Sequence, residues 1–104
     1  MYGGTIEQRV ARGAAFLDAR HPGWAARIDL DWLDLSMCDR CVLGQLFGDF
    51  NEAPQHARLE AYRLGFDRPP GMVGMEYTKL TAEWRRLIRE RVASGVEVQQ
   101  EAGA

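Results

Sequence analysis

Two cysteines three positions apart, Cys38-Asp39-Arg40-Cys41, form the stretch of this chain whose residue types could do chemistry. Zinc needs about four soft or borderline ligands held tetrahedrally, and a C-x-x-C turn commonly supplies two of them. His21 and His56 are the only histidines, so a Cys38, Cys41, His56 and His21 set is available in number. Its spacing is wrong, because structural zinc motifs follow C-x-x-C with a second short ligand pair, and here the histidines lie far apart. The same spacing can be a redox dithiol at a helix N-terminus, where the dipole lowers a thiol pKa. That chemistry wants a strand before the motif, and Leu33-Asp34-Leu35-Ser36-Met37 is a poor strand, with Asp34 and Asp39 opposing a thiolate. The expectation is no bound metal and no cofactor, with Cys41 a small core residue beside Val42 and Leu43.

Three further groupings invite the same weighing. Asp29-x-Asp31-x-x-Asp34 hints at a calcium loop, but it lacks the central glycine, the fifth-position oxygen ligand and the closing glutamate. Those aspartates suit turn caps or an acidic surface for a basic partner. Arg85, Arg86 and Arg89 could present guanidinium forks to phosphates, although Glu83 and Glu90 interrupt the patch. The tryptophans and tyrosines fall mainly on apolar stripes, which makes them core residues before any ligand box. No Gly-rich phosphate loop, G-x-S-x-G elbow or H-E-x-x-H motif is present, so an enzyme is the least expected class.

The elements that would position these residues are helical. Thr5 and Gln8 make a T-x-x-Q capping box, followed by Ile6, Val10, Gly13, Ala14 and Leu17 at helical spacing, with Arg9, Arg12 and Asp18 on other faces. His21-Pro22-Gly23 ends that helix. A short helix from Gly23 to Ile28 comes next. Residues 28–35 alternate like a strand, yet with no partner strand in sight they read better as a turn capped by Asp31. A third helix is expected from about Asp39 to Phe47, stopped by Gly48, with Gly44 marking a close approach of another element. A fourth should run from near Pro54 to Gly65. The last and clearest spans Glu76 to Ala93, with Tyr77, Leu80, Trp84, Leu87, Ile88 and Val92 on one stripe.

Together these predict a mainly α fold, a compact bundle of four to five short helices with a minor extended segment around residues 66–76. Residues 1–95 should form one domain and 96–104 a flexible tail. Hydrophobic content of 46% and charged content of 27% are ordinary globular usage. The N-terminal residues lack a secretory signal pattern and no apolar run approaches a membrane span, which points to a cytoplasmic protein. Net charge is −2, giving no general pull on nucleic acid or membrane. The charge is segregated. Residues 28–52 hold Arg40 against six acids, while the segments on either side are close to balanced.

Several segments carry a resemblance: Gly23-Trp24, Ile28-Asp29-Leu30-Asp31, Cys41-Val42-Leu43-Gly44-Gln45-Leu46-Phe47-Gly48, Leu64-Gly65-Phe66, and Tyr77, Leu80-Thr81 and Trp84. The chain resembles a group of small uncharacterised proteins encoded by actinobacteria and their phages, over most of residues 8–90. In that group the second cysteine is the regular one, which argues further against zinc. The resemblance implies a cytoplasmic accessory protein acting on a host or phage partner, and carries no known activity or site residue. The functional expectation is a module that binds another protein; the alternative is a nucleic-acid-binding module using Arg85, Arg86 and Arg89.

Overall fold

A computed structural model describes residues 4–68 and 75–94. Thr5 opens helix α1 (Ile6–Arg20) with both halves of the capping box in place. Its hydroxyl accepts from the Gln8 amide at 3.1 Å, and the Gln8 side chain accepts from the Thr5 amide at 3.0 Å. A 3-10 turn (Trp24–Arg27) follows, then irregular backbone over residues 28–41. Helix α2 (Val42–Phe47), a second 3-10 turn (Phe50–Glu52) and helix α3 (Gln55–Leu59) are all short. Helix α4 (Met75–Ser94) is the longest element. No strand occurs among the described residues, so the mainly α bundle stands. The extended piece and the tail expected from sequence fall largely outside the described residues.

Helix α4 is the spine. Leu80, Trp84 and Ile88 on one face are fully buried against Val10, Ala14 and Leu17 of α1. Trp84 sits at the centre. Its ring stacks on Phe66 at 5.4 Å, meets Trp24 edge-on at 5.8 Å, and donates Nε1–H to the Gly65 carbonyl at 2.6 Å. A buried indole N–H must find such an acceptor, and Gly65 supplies it by turning the chain in the left-handed region, φ 74°.

Several boundaries differ from expectation. The helix expected from Asp39 begins at Val42, because the Cys38 carbonyl turns away to accept from the Phe50 amide at 2.8 Å. The helix expected to reach Gly65 stops at Leu59, and residues 60–65 continue as mixed turns. Asp29, rather than Asp31, caps the following turn, accepting from the Asp31 amide at 3.0 Å. Val92, expected on the buried stripe, is half exposed.

The largest departure is Arg9, assigned to an outer face by its spacing and found 3% exposed. Its guanidinium lies over the Tyr62 ring, donates to the carbonyls of Tyr62 and Asp67 at 3.0 Å each, and pairs with Glu76 at 2.8 Å. The irregular path after α3 leaves those carbonyls without helical donors, and one arginine serves two of them while joining α1 to α4. Arg12 does the same for the Arg63 carbonyl.

At its far end α1 is tied down by Asp18, which accepts from Trp24 Nε1 at 2.9 Å and Arg91 at 2.8 Å. Partial burial alone would raise this carboxyl, but the hydrogen bonds from Arg91 and Trp24, with the Arg91 charge, bring it below the usual carboxylate value. A carboxyl depressed in the fold adds stability above its unfolded pKa and loses it as pH falls through the folded one. Asp18→Asn should therefore be less stable than wild type at neutral pH, with the gap closing in acid below the ordinary carboxylate pKa. Urea melts at stepped pH check this; a gap that does not vary with pH contradicts it.

Candidate functional site

Irregular backbone over residues 28–41 carries the exposed groups with the most binding potential, and three side chains from outside it hold it in place. Gln45, one turn into α2, accepts from the Asp29 amide at 2.7 Å and donates to the Asp29 and Arg40 carbonyls at 3.1 Å each. Thr81 of α4 accepts from the Leu35 amide at 2.9 Å. Arg85, also of α4, donates to the carbonyls of Leu30 and Leu33. Inside the loop, Asp34 accepts from the Ser36 amide and hydroxyl, and the Asp34 amide bonds the Arg40 carbonyl at 3.2 Å. Leu33 and Leu35 point into the core. The loop is irregular in shape and fixed in place.

The Cys-Val-Leu-Gly-Gln segment is the buckle of this arrangement. Cys41 is the N-cap of α2, its sulfur accepting from the Gly44 amide at 3.2 Å. Gly44 lies against the Cys38 carbonyl and the Asp39 backbone so closely that a Cβ there would overlap both. That is the close approach its position in the sequence foretold. Gly44→Ala should lower stability by about 2–3 kcal/mol, because the opposing atoms are backbone and cannot swing aside. Chemical denaturation reads the change; a loss within about 0.5 kcal/mol would show that the backbone yields.

The four candidate zinc ligands are not brought together. Cys41 is buried and capping α2, Cys38 is exposed, His21 packs edge-on to Phe47 at 5.1 Å and His56 stacks on Phe16 at 5.6 Å. Among the described residues no three His, Cys, Asp or Glu side chains are grouped to hold a metal ion. Burial pushes the Cys41 thiol up to about 11, outweighing the hydrogen bond from Gly44. The chief cause is burial, where sequence reasoning named the neighbouring aspartates. In the folded protein Cys38 should titrate with a disulfide reagent at neutral pH and Cys41 only once denaturant is added. Two thiols reacting at one rate under native conditions would contradict this.

The arginine face is largely committed to the fold. Arg85 serves the loop carbonyls, and Arg86 is clamped between Glu83 and Glu90 on its own helix. Arg89 is exposed, with no hydrogen bond or ion pair among the described residues. One free guanidinium of three is a thin footprint for a phosphate backbone.

What the loop presents outwards is different. Trp32 is 44% exposed and Met37 43% exposed, both unusual for large apolar residues. In the same loop Asp29, Asp31 and Asp39 are exposed and Asp34 half-buried. Arg40 lies 5.3 Å from the Trp32 ring centre, within cation–π range. Sequence reasoning placed tryptophan in the core and missed Trp32. Its signal was there in the acidic neighbours on either side. No helix among the described residues is long and apolar enough to cross a membrane. The chain matches no known family model, curated protein or solved structure in the comparisons made.

Proposed function

We propose that this protein is an accessory module that binds another protein, using the 29–40 loop to hold a basic, partly apolar segment of it. The observation that carries this reading is an exposed tryptophan and methionine set among aspartates on a loop that side chains hold rigid. Tryptophan is enriched among residues that dominate binding energy, and a pre-ordered loop avoids most of the entropy cost of docking. The aspartates supply charge complementarity and select against acidic partners. Binding loops on rigid scaffolds are the usual site of recognition. A nucleic-acid partner is less well supported, since Arg85 and Arg86 are occupied and the exposed loop repels phosphate.

Selection of binders from a displayed random peptide library tests the proposal. Enriched peptides should combine Lys or Arg with an apolar anchor, bind more weakly as salt is raised, and quench Trp32 fluorescence. Trp32→Ala should weaken them at least tenfold, and Asp31→Lys with Asp39→Lys, exposed carboxylates that cap no turn, should do likewise without lowering stability. Enrichment of acidic sequences, or binding unaffected by all three changes, would overturn the loop as the docking surface.

A further inference from the structure

Beneath the same loop, between it and the turn after α3, lies a cavity of about 300 Å³. That is the low end of the range for small-molecule sites, too small for a nucleotide. Its apolar wall is formed by Leu35, Phe50 and Phe66, the last held rigid by its stack on Trp84. Two opposite charges also line it, Arg58 and Asp67. Each is oriented and each keeps bonding capacity to spare. Arg58 donates Nε–H to the Ala53 carbonyl at 3.0 Å, and among the described residues nothing accepts from its two terminal nitrogens. Asp67 accepts the Tyr77 hydroxyl at 2.6 Å and the Arg68 amide at 2.8 Å, both on Oδ1, and among the described residues nothing donates to Oδ2. Ser36 and Asn51 add neutral polar groups to the lining.

We propose that this cavity binds a small zwitterion of the amino-acid class, its carboxylate on Arg58, its ammonium on Asp67, and its side chain against Phe50 and Phe66. A simple anion would face Asp67, and a simple cation would face Arg58; only a ligand bearing both charges is favoured by both walls. The arginine fork suits a carboxylate, and the aromatic wall favours an apolar or aromatic side chain over a charged one. Met37 lines the cavity as well as the exposed face of the loop, whereas Trp32 does not line it, so Trp32 is the residue that separates the two sites.

The twenty common L-amino acids, added singly at millimolar concentration to ¹⁵N-labelled protein, test it. At least one with an apolar or aromatic side chain should shift the amides of Ser36 and Asn51 and the Arg58 Nε–H signal saturably. Acetate and methylammonium, each carrying half of the recognition, should bind at least tenfold more weakly. Arg58→Gln should weaken binding at least tenfold while the rest of its spectrum matches wild type, and Trp32→Ala should leave binding unchanged. No saturable shift with any amino acid, or acetate binding as tightly as the best of them, would overturn the proposal; the acetate comparison needs no variant to fold.

Discussion

A small helical protein with so much irregular backbone depends on side chains to bond the peptide groups that helices would otherwise satisfy. A buried peptide group left unpaired costs about 1–3 kcal/mol, a large share of a small domain's margin. Here Arg9 and Arg12 of α1 serve the carbonyls after α3, Trp84 serves Gly65, and Gln45, Thr81 and Arg85 serve the 28–41 loop. Each of these donors or acceptors sits on a helix. The helices therefore do two things at once: they bury the apolar stripes, and they carry the polar atoms that fix the loops. Except at Trp84, which is itself at the centre of the core, a single substitution at such a position removes a loop's support without touching the apolar core.

That division explains why the outer face of the loop can afford to be exposed. Leu33 and Leu35 anchor it inwards, and the bonds from α2 and α4 fix its backbone. Trp32 and Met37, close to half exposed, then lie outside the core on a loop rich in aspartates. Exposed apolar side chains on a mobile loop would collapse onto the surface. On a fixed one they stay available to a partner. The same fixing keeps the cavity on the inner side open, because its walls are Phe66 on Trp84 and a loop that does not fold inwards.

The parts of this fold legible in the sequence are those written in local pattern. Thr5 with Gln8 announced the start of α1, the stripe from Tyr77 to Ile88 announced α4, and Gly44 announced a close approach. The parts that were not legible depend on contacts distant in the chain. Nothing near Arg9 signals that carbonyls of Tyr62 and Asp67 wait for it, and helical spacing alone sends it to solvent. Nothing near Cys38 shows that its carbonyl belongs to Phe50, which is why α2 starts later than its apolar pattern allows. The candidate surface was half visible: the acidic run was legible and its turn-capping role is seen at Asp29 and Asp34, while Trp32 was assigned to the core by residue type. Arg58 of α3 and Asp67 of the turns that follow line one cavity, and no spacing rule predicts that they share it.

Native-state hydrogen exchange on the backbone amides of Asp29 and Leu35 tests the role of the side-chain supports most directly. These amides donate to Gln45 and Thr81 and to no backbone group. The account predicts protection factors comparable to those of amides in the middle of α1, lost together only on global unfolding. Exchange at the rate of an open chain, with α1 and α4 still protected, would mean that the loop is not held by these side chains.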